Sequence, residues 1–214
     1  MAEPAGDQPT SPLTVREARQ RFFQMNGFGL DGGYDDEWAE AEFGPVVYRV
    51  PNIRSRARAL RIHDLHHLAT GYATDWRGEA EISAWELGSG WGRHPYAWII
   101  ALFGFMTGLL TQPRLTFAAF FRGRNSSNLY GRNDVVAELD RPLSALVKEL
   151  HVPDGDSAPP PSAGDVVRLA ATSAAALAFG VLSLPFVAFA VFLGEARRGL
   201  DPSGCPSSVL GTSG

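Results

Sequence analysis

Cysteine is all but missing from this chain: Cys205 is the only one in 214 residues. That excludes a disulfide framework and a thiolate zinc ribbon, so any metal site has to be built from His, Asp and Glu. Lysine is as scarce, with Lys148 alone among 19 basic residues, and the net charge is −4. Without a bulk basic field, nucleic acid is not an expected partner. A targeting signal is lacking too. Met1 to Pro12 is polar and has neither a basic n-region nor an apolar h-region, so residues 1–150 are expected to fold in a reducing, cytoplasm-like compartment. Hydrophobic residues make up 45%, enough for a core and too many for a disordered chain.

Turn and cap signals divide what is there. Residues 1–13 read as a loose tail, Leu13 to Met25 as a weakly patterned helix, and Asp35 to Phe43 as a short acidic helix closed by Gly44-Pro45. Val46 to Val50 reads as extended chain. Asn52 is an N-cap candidate and Gly71 a C′ glycine for a helix holding Ile53, Ala57, Leu60, Leu65 and Leu68. A second helix is expected from Asp75 to Leu87, ending at Gly88. A third opens at Pro95 and runs apolar from Ala97 to Leu110, 14 residues, short of the ~20 a membrane span needs. It reads as a buried core helix. Leu115 to Phe121 and Val135 to Leu150 complete a mainly helical domain.

Composition then shifts. Val152 to Gly164 is Pro-rich, with Pro159-Pro160-Pro161 stiffening it, and Leu169 to Gly194 follows as 26 residues without a charge. As one helix it would measure about 39 Å, more than the ~30 Å hydrocarbon core. The competing reading is a core or dimer helix pair broken at Pro185. Because the Pro-rich stretch sets the segment apart, a C-terminal membrane anchor is the expectation. The helical domain is then assigned to the cytoplasm, although Arg168 before the span and Arg197-Arg198 after it vote the other way.

The chemistry concentrates in Arg61 to Glu86. His63 and His67 stand four apart and share a helix face. Glu79 follows His67 with eleven residues between them, and the turn near Gly71–Thr74 brings it level with the histidines in an antiparallel hairpin. Two imidazoles and a carboxylate suit a divalent metal with an open position: zinc first, with iron, cobalt or manganese also compatible. Asp64 lies about 100° round the helix, placed to be a fourth ligand or to orient an imidazole. An H-x-x-x-H pair alone is often two ordinary histidines. The zincin motif is missed because Asp64 stands where that motif has glutamate. His66 points off this face and reads as structural or exposed. His94 and His151 have no partner signal. Glu86 shares Glu79's face and reads equally as a supporting or a surface carboxylate. Arg54, Arg58 and Arg61 form one stripe, and Arg122 and Arg124 open a polar loop; both read as solvated faces.

The run His63-Asp64-x-x-His67-x11-Glu79, with Leu68, Gly71, Gly78, Trp85 and Glu86, resembles the HDxxH-x11-E signature of the Coq-four-type ubiquinone (coenzyme Q) biosynthesis proteins. The likeness extends weakly from Pro45 to His151. It implies an all-α, membrane-associated protein with a metal at His63, Asp64, His67 and Glu79, the same four being the expected catalytic residues. It also implies a polyprenylated ring substrate that loses its C1 carboxyl with oxidation, and association with other quinone-biosynthesis enzymes. A non-catalytic isoprenoid-lipid-binding scaffold is the alternative, a metal hydrolase a weaker one. The Pro-rich stretch and apolar tail depart from the family pattern. The expected layout is therefore a tail with short helices over 1–44, a helical domain with a metal-binding hairpin over 45–151, a linker over 152–164, and an apolar helix with a polar tail over 165–214.

Overall fold

Thr14 starts the first helix, α1 (Val15–Asn26), through a reciprocal cap. Its hydroxyl accepts from the Glu17 N–H while the Glu17 carboxylate accepts from the Thr14 N–H at 2.8 Å. The computed structural model describes residues 12–43, 46–90, 92, 94–132, 135–153 and 159–200. The tail before Pro12, the Gly44-Pro45 stop, the middle of the Pro-rich stretch and Cys205 lie outside the described residues.

The segment expected as an acidic helix is instead a strand. β1 (Trp38–Phe43) pairs antiparallel with β2 (Val46–Pro51), in a register that sets Glu40 opposite Arg49. A helix over Asp35 to Phe43 would be too short to hold by propensity alone and would need a buried face to support it. The adjacent β-branched run supplies a partner strand, and the Ala-Glu-Ala-Glu alternation has the period of a strand.

The remaining architecture is all-helical. α2 (Arg54–Thr70) ends at Gly71 in the left-handed region (φ 76°), as its sequence predicts, but Ile53 rather than Asn52 is its N-cap. The Asn52 amide is turned away and donates to the Gly33 and Tyr34 carbonyls, tying the preceding loop to the helix start. α3 (Trp76–Ser89) is capped by Asp75, whose carboxylate accepts from the Gly78 N–H at 2.8 Å. It runs through Gly88 instead of ending there. Gly88 is needed for close approach: a Cβ would sit 2.2 Å from the Phe120 carbonyl of α5 (Pro113–Arg124), and one at Gly123 would sit 2.2 Å from the Trp85 carbonyl. α3 and α5 therefore pack almost backbone to backbone.

α4 (Pro95–Thr111) is not enclosed on all sides. It buries one stripe, Ala97, Ala101, Phe105 and Gly108, and leaves Trp98, Ile99 and Leu110 exposed. The segment from Val135 to Leu150 divides into a 3-10 turn (Val136–Glu138) and α6 (Leu143–Glu149). The last helix, α7 (Ala163–Leu200), runs 38 residues through Pro185. Its Ala163–Pro185 portion is long and apolar enough to cross a membrane. That portion also packs on the rest of the protein. Leu169 and Ala176 join Phe105 and Phe120 in one core, Phe103 meets Phe179 edge to face, and Arg124 pairs with Asp165 at 2.8 Å.

A second core joins α1, α2 and α6 through Val15, Ile62, Leu65, Leu129, Leu146 and Leu150. α2 belongs to this core and α3 to the other, so the α2–α3 hairpin joins the two.

Candidate metal centre

The four-residue spacing stacks His63 and His67 on α2, and α3 carries Glu79 up to them. Their Nε2 atoms are 3.1 Å apart, and the Glu79 carboxylate lies 3.3 Å from His63 Nε2 and 3.4 Å from His67 Nε2. Ligand atoms of all three lie within 4.8 Å of one another, so this group could hold a metal ion.

What these atoms do follows from what stands behind them. His67 Nδ1 is 2.9 Å from the Tyr72 carbonyl. A carbonyl only accepts, so Nδ1 carries the hydrogen and Nε2 presents a lone pair. His63 Nδ1 likewise donates to the Glu86 carboxylate at 2.9 Å, leaving its Nε2 as a lone pair. Two lone pairs and a carboxylate therefore converge with no donor of their own. Such a trio calls for a cation, either a proton or a metal. Three donors at about 2.05 Å from a tetrahedral ion are separated by about 3.3 Å, which the 3.1–3.4 Å spacings here match.

Electrostatics tell the same story for the metal-free trio. Burial by itself pulls the His63 imidazolium down in pKa, but the charge of Glu86 and the bond to Glu79 outweigh it and hold the group well above its usual 6.5. Burial would raise Glu79, yet the hydrogen bond from the His63 imidazolium and the charge beside it bring it to about 2. The proton on His63 thus stands where a metal would be held.

Glu86 is completely enclosed and acts as the hub. Its Oε1 accepts from His63 Nδ1 at 2.9 Å, from His66 Nδ1 at 2.7 Å and from the Tyr130 hydroxyl at 2.9 Å. These bonds and the His63 charge outweigh burial and keep Glu86 ionised well below the usual carboxylate range. His66 is buried, not exposed. It points away from the trio, and its Nε2 accepts from the Leu129 backbone N–H at 2.9 Å, which fixes the neutral Nδ1–H tautomer. Burial keeps its pKa low.

Asp64 sits beside the trio with its carboxylate engaged by the Tyr34 hydroxyl. Burial raises its pKa, partly countered by that bond. Arg61 lies over the Tyr34 ring and pairs with Asp35 at 2.8 Å, so it braces the Tyr34 loop. Arg58 reaches the Arg132 carbonyl. The Glu86 hub was legible in part, seven residues along the face from Glu79. Tyr34, the Tyr72 carbonyl and Tyr130 had no sequence signal, because each comes from a separate loop.

Phe22 of α1 stacks on the outer face of His67, ring centroids 5.8 Å apart, and Phe28 packs edge-on against Phe22. Glu79 is the open side, its side chain 37% exposed where the histidines are sealed. Two crevices, of about 870 and 330 Å³, are lined by other residues: Pro12, Leu13 and α6 for the first, and α3, α5 and α7 for the second.

No family model, curated protein or solved structure matches this chain.

Proposed function

We propose that this protein is a metal-dependent enzyme of prenylquinone biosynthesis, working at a membrane on a polyprenylated aromatic acid whose C1 carboxyl is removed with oxidation. The observation that carries the metal is the convergence of His63 Nε2, His67 Nε2 and the Glu79 carboxylate, each held as an acceptor. The ring chemistry rests on the resemblance of the His63-Asp64-x-x-His67-x11-Glu79 run to the Coq-four-type proteins.

His63, His67 and Glu79 would hold the ion, with Asp64 beside them. A divalent metal supplies a Lewis acid for a carboxylate or phenolate oxygen. Zinc, iron, cobalt and manganese all suit the donor set. The chain's own part is orientation and access. Glu86 and the Tyr72 carbonyl lock the two imidazoles, Tyr34 holds Asp64 in place, and the exposed Glu79 side is where a substrate ring would arrive. An apolar surface lies on the His67 side of the trio: Phe28 lies one ring away from His67 through Phe22, with Met25 and Leu30 exposed on the same segment. Such a rim suits an amphiphile whose ring enters while its tail stays outside.

Membrane attachment is assigned to α7. Val166, Val167, Val181, Leu182 and Leu184 face away from the protein, and α4 adds Trp98, Ile99 and Leu110 to the exposed apolar surface. The proposed placement is a C-terminal anchor with the helical domain on the cytoplasmic side.

The test is turnover of a prenylated 4-hydroxybenzoate under air by the purified, metal-loaded protein, reading released carbon dioxide and the hydroxylated ring. His67→Ala and Glu79→Ala should lose both metal and turnover, whereas His151→Asn, at an exposed position with positive φ that Asn tolerates, should keep both. Metal-loaded wild type that binds the substrate without turnover would leave only the scaffold reading. Equal metal content in all three variants would refute the site.

A further inference from the structure

Between the C-terminal turn of α3, α5 and the start of α7 lies a crevice of about 330 Å³, lined by Leu87, Phe120, Arg124, Arg168, Ala171 and Thr172 among others. Nothing in the quinone reading uses it. Its walls are apolar, but three polar groups meet in it. Arg124 is occupied, donating to Asp165 at 2.8 Å and to the Gly88 carbonyl at 3.1 Å. Arg168 is exposed and has no carboxylate partner among the described residues, so the described groups at the crevice, two arginines and Asp165, sum to one net positive charge. Thr172 is 95% buried, lines the crevice, and its hydroxyl has no hydrogen-bond partner among the described residues. Among the described residues only Arg19 Nε is sealed without a partner, so the Thr172 hydroxyl stays reachable from the crevice it lines, where a ligand can meet it.

Position adds the second half of the argument. Arg168, Ala171, Thr172 and Ala175 recur at the spacing of one helix face near the start of the apolar Ala163–Pro185 portion. Further along that face come the exposed Ala178 and Leu182, so an apolar helix surface continues from the crevice toward the apolar end. A cation and a hydroxyl at the mouth, an apolar surface beyond, and a volume at the low end of small-ligand pockets together describe a headgroup site.

We infer that this crevice binds one anionic phospholipid, its phosphate between Arg168 and Thr172 and an acyl chain along the Ala171–Ala175–Ala178 face. The inference rests on the membrane reading of α7. Leu87 of the crevice is the immediate neighbour of Glu86, so the lipid would sit against the same helix that carries the metal-site hub.

The experiment titrates full-length protein with dihexanoyl phosphatidylglycerol, dihexanoyl phosphatidylcholine and inorganic phosphate, each below any micelle concentration, by calorimetry. This reads the crevice whether or not the chain inserts into a bilayer, and carbonate extraction of membranes tests insertion separately. One phosphatidylglycerol per chain is expected. Binding should fall about tenfold in Arg168→Gln and about fivefold in Thr172→Val, and stay unchanged in Arg114→Gln, an exposed position elsewhere. Equal binding of the zwitterionic lipid would overturn the proposal. So would phosphate alone binding as tightly as the lipid, which would make this a free-phosphate site, or lipid binding that ignores both crevice substitutions.

Discussion

Glu86→Gln removes one charge and almost no volume from the interior of this protein, and its effects can be worked from the hub geometry. Three donors end on Glu86 Oε1: His63 Nδ1, His66 Nδ1 and the Tyr130 hydroxyl, at 2.7–2.9 Å. Hydrogen bonds to a charged group contribute about 1.5–3 kcal/mol each and neutral ones about 0.5–1.5, so three such bonds lose about 3 kcal/mol together. Relief from burying a carboxylate offsets several kcal/mol of that loss. Net stability should therefore move by no more than about 2 kcal/mol in either direction, a modest shift of the urea midpoint at unchanged slope. Metal affinity should respond far more selectively. The His63 imidazole loses the anion that raises its basicity and fixes its tautomer, which costs about 10–100-fold in affinity. Competition with a chelator would measure the affinity, and ¹⁵N shifts of the His63 ring would report the tautomer. A folded Glu86→Gln protein with wild-type affinity and an unchanged His63 ring would refute the role given to Glu86.

Acidity acts on the same group in two ways. In the metal-free protein the stabilisation from Glu79 is present above its ordinary 4.5 and is lost as pH falls toward about 2, while that from His63 is full below 6.5 and is lost as pH rises through its elevated value. Denaturant midpoints of metal-free protein should thus be highest between about 4.5 and 6.5, and Glu79→Gln should flatten the acid limb. Metal affinity, in contrast, should rise with pH, because the ion displaces the proton on His63; an affinity independent of pH would count against that displacement. Gly88→Ala should destabilise the fold by about 1–3 kcal/mol, since the added methyl meets the Phe120 carbonyl at 2.2 Å; a variant melting like wild type would mean α3 and α5 can separate without cost. In membranes the full chain should resist carbonate extraction, and release into the supernatant would assign the exposed face of α7 to a second copy of the chain instead.

Much of the metal hairpin could be read from local rules. A four-residue spacing puts His63 and His67 on one face, Gly71 ends their helix in the left-handed region, Asp75 starts the next, and counting along the hairpin brings Glu79 level with the pair. Periodicity, caps and turn chemistry act within a few residues, so a linear chain carries them openly. The apolar length of α7 is of the same kind. The strand at Trp38–Phe43 was missed because strand pairing depends on a partner, and its Ala and Glu favour a helix when taken alone. Everything that turns two histidines into a directed pair of lone pairs came from the tertiary structure: the Tyr72 carbonyl behind His67, Glu86 behind His63, and Tyr130 and the Leu129 N–H steadying that hub across more than 40 residues. The packing of α7 against Phe105 and Phe120, which a Pro-rich approach had suggested would not occur, was decided there as well. Such partners are chosen by which surfaces meet when two cores close on the hairpin, and no local pattern in the chain encodes that meeting.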